Sequence, residues 1–253
     1  TTALANATAS GVWTSSNTGV ATIDASGVVT GVAAGSTTIT YTVTTNGCTA
    51  NAQAVVNVNA LPTLAAIGGT MNACIGSSTI LTNTTSGGVW TTSNAAVATV
   101  NTITGNVTGV TAGTATITYT YTNSNGCTSA VSTTVTINAL PVVAAITGTT
   151  SVCEGATTTL ASTTTGGVWS TANTATATIN STTGVVTGVA AGTTTMTYTV
   201  TNANGCTSSV STALVVNAIP QVAAISGTTE VCVGLTTALA NATASGVWTS
   251  SNT

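Results

Sequence analysis

The chain carries the same markers at one fixed interval, and that interval restricts the folds open to it. Gly-Val-Trp stands at Gly11–Trp13, Gly88–Trp90, Gly167–Trp169 and Gly246–Trp248, at spacings of 77, 79 and 79 residues. The sequence Asn-Ala-(Leu/Ile)-Pro stands at Asn59–Pro62, Asn138–Pro141 and Asn217–Pro220. Two cysteine series keep the same step: Cys48, Cys127 and Cys206 in one, Cys74, Cys153 and Cys232 in the other. A β-solenoid repeats every few tens of residues at most, so an interval near 79 is a domain and the chain is a tandem array. Cutting at the linkers predicts complete domains over 61–139 and 140–218. Residues 1–60 form a domain lacking its first strand, and residues 219–253 form the N-terminal part of a further one. The string TTALANATASGVWTSSNT opens the chain and returns unchanged at 236–253, which sets a higher-order period of 235 residues. From that identity we expect the array to continue past both numbered ends.

Within each interval the residues alternate as strands do. In TATITYTYT, Ile117, Tyr119 and Tyr121 alternate with Thr116, Thr118 and Thr120, which places one face inside and one in water. Strands are predicted near Leu64–Ala66, Thr79–Asn83, Val89–Thr92, Val97–Val100, Asn106–Val110, Thr114–Thr122 and Ser129–Ile137, parted by glycine turns such as Thr104-Gly105 and Asn125-Gly126. Seven short strands in a domain of this size predict an all-β fold of immunoglobulin-like β-sandwiches arranged end to end. Charge is almost absent: there is no Lys, Arg or His, and the acids are Asp24, Glu154 and Glu230. Without cations the chain has no means of neutralising phosphates, so nucleic acid is excluded as a partner, as is a polybasic membrane contact. Thr, Ser or Asn interrupts every apolar run well before the roughly 20 residues a membrane span needs, so direct membrane insertion is not expected.

The stretch Gly11–Val43 carries the pattern W-x-S-x-x-x-x-V-A-T-(I/V) followed by G-x-V-T-G-V-x-A-G-(S/T)-x-x-(I/M)-T-Y, and both stretches recur, with Thr92 and Thr171 for the Ser and Thr176 for the Val, through Ala96–Tyr119 and Ala175–Tyr198. In these motifs it resembles the bacterial immunoglobulin-like domains of group 2. The added V-C-x-G near the start of a repeat (Val152–Gly155 and Val231–Gly234, with Ala73 in place of Val before Cys74) and N-G-C-T near its end are similar to repeats of very large surface adhesins of Bacteroidota, including gliding-motility adhesins. The resemblance implies a cell-surface protein exported by the type IX route. It also implies, as partners, further copies of the repeat in one long chain and a motility apparatus that drags the filament.

No two cysteines lie close enough for the C-x₂₋₄-C pairs of a zinc site, and no His is present, so no metal site is expected. Disulfides remain. If the first strand starts at the pole where the last loop lies, Cys74 pairs with Cys127 and Cys153 with Cys206. Pairing Cys48 with Cys74 would instead span a strand of roughly 34 Å, against a Cα separation of about 6 Å in a disulfide. Cys48 and Cys232 are then expected to pair outside these 253 residues. Each closed loop would stabilise its domain by about 4 kcal/mol on the chain-entropy model. Disulfides also point to an extracellular location.

A hydrolytic triad needs a base and a glycosidase needs two carboxylates on one bond. The three acids fall at three different repeat positions, so neither an enzyme nor a cofactor site is expected, and calcium linkers of the usual multi-carboxylate kind are not expected either. Trp13, Trp90, Trp169 and Trp248 share one mid-strand position and read as core, as do Tyr41, Tyr119 and Tyr198. Threonine faces keep the chain soluble without charge, and they offer hydroxyls to surface polysaccharide. Uncharged edge strands leave neighbouring filaments as a further partner. Asn6-Ala7-Thr8, Asn83-Thr84-Thr85 and Asn106-Val107-Thr108 match glycan acceptor tripeptides.

Overall fold

The structure, a computed structural model, describes residues 1–252. The chain divides between Ala139 and Leu140 into two compact units. The first contains the most complete view of a repeat. Its strands are β1 (Gly68–Gly69), β2 (Asn72–Cys74), β3 (Ser78–Thr82), β4 (Val89–Thr92), β5 (Ala98–Val100), β6 (Asn106–Gly109), β7 (Gly113–Thr122) and β8 (Thr128–Asn138). One sheet has the order β4-β7-β8-β2 and the other β5-β6-β3-β1. All pairings are antiparallel except β8 with β2, which is parallel. In the second unit, Thr147–Gly148, Ser151–Cys153, Thr157–Ala161, Val168–Thr171, Ala177–Ile179, Val185–Gly188, Gly192–Thr201 and Thr207–Asn217 repeat the same two sheet orders. The fold is therefore all-β, built of tandem immunoglobulin-like sandwiches.

The long hairpin β7–β8 forms where the sequence alternates most strictly. Ala115, Ile117 and Tyr119 point inward and are buried, while Thr114, Thr116 and Thr122 stay exposed. Inward residues of both sheets close one core: Leu81, Trp90, Ala98, Val107, Ile117, Tyr119, Val135 and Ile137. Leu160, Trp169, Ala177, Val186, Met196, Tyr198, Leu214 and Val216 do the same in the second unit. Fully burying a side chain of this size contributes about 1.5–3 kcal/mol, which is what these short strands rely on.

The start of the repeat departs from the sequence reading. Leu64–Ala66 is not a strand. It follows Pro62, which donates no hydrogen bond, and it is held instead by side chains: Asn83 Nδ2 donates to Ala65 O at 2.8 Å. In the second unit Thr164 Oγ1 accepts from Ala144 N at 2.9 Å in the same way. The expected single first strand is then two short ones that belong to different sheets. β1 pairs with β3, and β2 crosses to run parallel to the last three residues of β8, with Cys74 opposite Asn138.

Residues 1–58 form two three-stranded sheets, Val12–Ser15 with Gly35–Thr45 and Cys48–Val58, and Thr2–Ala3 with Val28–Gly31 and Ala21–Ile23. They contain no counterparts of β1 and β2. Residues 219–252 supply one two-stranded pair, Ser226–Gly227 with Leu239–Ala240.

Trp90 lies directly across from Tyr119 in the β4–β7 ladder, with ring centroids 4.6 Å apart. The Tyr119 hydroxyl accepts from Gly88 N at 2.8 Å and donates to Thr85 O, so one phenol closes the loop that leads into β4. The glycine of Gly-Val-Trp is required there: a Cβ on Gly88 would stand 2.4 Å from the Tyr119 ring. Tyr41 with Gly11 and Thr8, and Tyr198 with Gly167 and Thr164, repeat the arrangement. Gly167→Ala should therefore lower stability by about 1–3 kcal/mol through overpacking, and Tyr198→Phe by about 1–3 kcal/mol through stranded loop polar groups. Urea unfolding of the full chain followed by tryptophan fluorescence measures both, and unchanged midpoints would show the clamp to be dispensable.

Candidate functional site: cysteine junctions and threonine faces

The cysteines follow from where the sheets place the ends of β8. Cys127 sits at the residue before β8 begins, and Cys74 lies opposite Asn138 where β8 ends. The two are separated by the length of the strand, about 34 Å at 3.4 Å per residue, far beyond the roughly 6 Å of a disulfide. Cys153, opposite Asn217, and Cys206, before Thr207, stand at the two ends of the equivalent strand. The expected pairs Cys74–Cys127 and Cys153–Cys206 are accordingly not formed. The expectation failed because it put the first strand's start at the pole of the last loop, whereas the crossing into β2 carries the cysteine to the other pole. Cys74 and Cys206 are the disulfide-bonded cysteines, and Cys48, Cys127, Cys153 and Cys232 carry free thiols.

The surroundings of each cysteine are built by short polar loops. The glycine of V-C-x-G makes a tight turn: Gly76 has φ of 78° and donates to Gly109 O at 2.9 Å, as Gly155 does to Gly188 O. Ile75 N donates to Asn138 O at 3.1 Å, and Glu154 N to Asn217 O at 3.0 Å. The N-G-C loop is organised by an asparagine, since Asn123 Oδ1 accepts from Asn125 N and Cys127 N, both at 3.0 Å. The same Asn123 donates from Nδ2 to Ala60 O at 3.2 Å, and Cys127 Sγ lies 3.8 Å from Asn59 O. Loop and linker of successive repeats thus meet at Asn59-Ala60.

The aromatic residues divide in two. Trp90 and Trp169 are buried, as are Tyr41, Tyr119 and Tyr198, and Trp13 is half-buried beside Tyr41 at 4.5 Å. Trp248, expected in a core, is 55% exposed. The buried indoles have no face turned outward for stacking on a sugar.

The threonine faces are partly self-satisfied. Thr118 Oγ1 and Ser132 Oγ are 2.9 Å apart, Thr122 Oγ1 and Thr128 Oγ1 2.9 Å, and Thr197 Oγ1 and Ser211 Oγ 3.0 Å, each pair bridging the long hairpin. Edge strands β1, β2, β4 and β5 are at most five residues long, and shortness is a recognised means of limiting edge pairing without charge. The last strand differs, because β2 covers only its final three residues and leaves Thr128–Val135 with an open edge.

Two of the three acids, Asp24 and Glu154, hold loop backbone. Asp24 Oδ1 accepts from Ser26 Oγ at 2.6 Å and from Ser26 N and Val28 N at 2.9 Å. Asn101 and Asn180 do the same work in the other repeats, through Ile103, Thr104, Thr182 and Thr183 N–H groups. Glu154 Oε1 accepts from Ala191 N at 2.7 Å. Asn83, in a glycan acceptor tripeptide, is likewise committed to Ala65 and Thr85. Among the described residues no group of three or more His, Cys, Asp or Glu gathers for a metal ion, and no helix is long and apolar enough to cross a membrane.

These features define a class of protein: tandem immunoglobulin-like sandwiches with cysteines at the poles. The family model for the bacterial Ig-like domain (group 2) matches residues 1–56 and 77–135. No curated protein sequence matches the chain. Among solved structures it is similar to surface layer protein SbsC, domains 1–6 (20% identity, 87% of this chain and 37% of that chain, TM-score 0.28). It is also similar to mouse cadherin-23 EC22–24 (13%, 83% and 86%, 0.27). A third likeness is to the C-terminal fragment of intimin in complex with the intimin-binding domain of its translocated receptor (15%, 76% and 60%, 0.26). The chain spans little more than a third of the surface layer structure.

The hydrogen bond from Ser26 Oγ, followed by that from Val28 N, holds the Asp24 carboxyl below its usual pKa. A lowered folded pKa gives stability that is present above the unfolded carboxylate pKa of about 4 and lost as pH falls through the folded value. Asp24→Asn, which installs the residue of the other repeats, should keep the turn and remove that dependence. Thermal unfolding at pH 6 and pH 3 tests this: the original chain should lose more than the variant, and equal losses would refute the assignment.

Proposed function

We infer that this chain is a stretch of the shaft of a large extracellular bacterial surface adhesin. The observation that carries the reading is the tandem repetition of one immunoglobulin-like sandwich along the chain. Such a chain sets reach and bears load. Mechanical resistance comes from the ten-residue register between the two strands of the long hairpin, which must be broken across its whole length. The V-C-x-G and N-G-C-T motifs support placement among adhesins of Bacteroidota exported by the type IX route, with a role in gliding and surface attachment. Further copies of the repeat continue the fibre, and neighbouring filaments approach the open Thr128–Val135 edge. Polysaccharide is the remaining ligand class, held by threonine hydroxyls rather than by tryptophan. With no cation on the chain, any such adhesion should change little with ionic strength.

The native polypeptide should run at hundreds of kilodaltons on a reducing denaturing gel and appear as beaded threads in negative stain. A native species of about the 24.2 kDa of these residues, or compact single globules, would refute the shaft.

A further inference from the structure

In the sandwich of the second unit, the loop entering Val168–Thr171 and the turn before Val185–Gly188 leave a cleft between them. Its volume of about 370 Å³ lies within the range of small-molecule clefts. Leu160 and the Trp169 indole are its deepest residues, and Ser162, Thr165, Thr182 and Thr183 surround them. The turn is laid against the indole: Trp169 N donates to Ser181 O at 2.9 Å, and a Cβ on Gly184 would stand 3.1 Å from Trp169 Nε1. Trp169 is only 5% exposed, and a buried indole N–H ordinarily finds an acceptor. Among the described residues none accepts from Trp169 Nε1. No buried side-chain N or O is left without a partner among them either, so this N–H is not sealed in and opens onto the cleft. The Tyr198 hydroxyl is committed to Thr164 O and Gly167 N, and Ser162 Oγ to Ala144 O. The hydroxyls of Thr165, Thr182 and Thr183 have no such commitment among the described residues, while Asn180 Oδ1 fixes the turn by accepting from Thr182 N and Thr183 N at 3.0 and 2.9 Å. The cleft therefore offers one fixed donor at its base, hydroxyls around it that can donate or accept, and no charge.

We propose that this cleft binds one neutral sugar unit, with a sugar oxygen accepting from Trp169 Nε1 and further hydroxyls meeting Thr165, Thr182 and Thr183. The inference deepens the polysaccharide reading above and rests on it for the class of ligand, adding one indole donor to the threonine hydroxyls. Contact is made at the indole edge, because the Tyr198 ring packs on the indole with centroids 4.6 Å apart. An anionic sugar gains nothing from a chain without cations. The first unit supplies an internal comparison. There the turn beside Trp90 carries Ile103, 84% exposed, at the repeat position of Thr182. That turn has lost a hydroxyl, so sugar should be held less well at Trp90 than at Trp169.

The full nitrogen-15-labelled chain tests this through the indole N–H resonances of its four tryptophans. The probes are the methyl α-pyranosides of glucose, galactose and mannose. At least one should shift the Trp169 resonance along a saturating curve, with a smaller shift at Trp90 and none at the exposed Trp248. Thr182→Val combined with Thr183→Val keeps the backbone bonds to Asn180, and it should weaken that binding about tenfold. The thermal midpoint should stay where it is, which separates lost contacts from lost folding. No saturating shift with any of the three glycosides, equal shifts at Trp169 and Trp248, or unchanged affinity in the double variant would each overturn the proposal. Electrophoresis through a gel containing galactomannan separates the cleft from the broader reading. Retardation that survives the double variant would sink the cleft and leave polysaccharide on the threonine faces, whereas no retardation of the original chain would sink both.

Discussion

The tyrosine that faces the tryptophan across β4 and β7 is the contact on which each sandwich depends. Its ring packs on the indole, its hydroxyl fixes both ends of the loop entering β4, and its bulk explains the glycine beside that loop. Remove the ring and the edge strand β4 keeps only a four-residue ladder to hold it. The same triple of residues recurs wherever the repeat is complete enough to supply both strands.

A second constraint is the split of the first strand. Gly69, with φ of 110° and no room for a Cβ against Ile80 O, ends β1 where it leaves β3, and β2 then joins the opposite sheet. That crossing moves the V-C-x-G cysteine to the pole where the last strand leaves for the next repeat. A chain almost without charge gains no cohesion from ion pairs, and its cores are small.

Much of this was legible before any coordinates. The interval of 79 residues defined the repeat, and the alternation through Ile117 and Tyr119 defined the long inner strand. The shared position of Trp90 and Trp169 marked them as core. The loop asparagines were less visible, although Asp24, Asn101 and Asn180 occupy one repeat position and could have been read as a turn signal from that alone. The region Leu64–Cys74 was misread because short strands switching between sheets leave no periodic pattern. Leu64–Ala66 is apolar enough to suggest a strand, yet it spends its backbone on side-chain partners.

The sequence by itself determined the repeat, the strand faces, the glycine turns and the lack of charged chemistry, because each is a matter of local spacing and residue type. Only the tertiary structure decided which pole of its sandwich each cysteine occupies. Spacing along the chain is silent about which pole of a sandwich a residue occupies, and a three-residue strand that changes sheets reverses the answer.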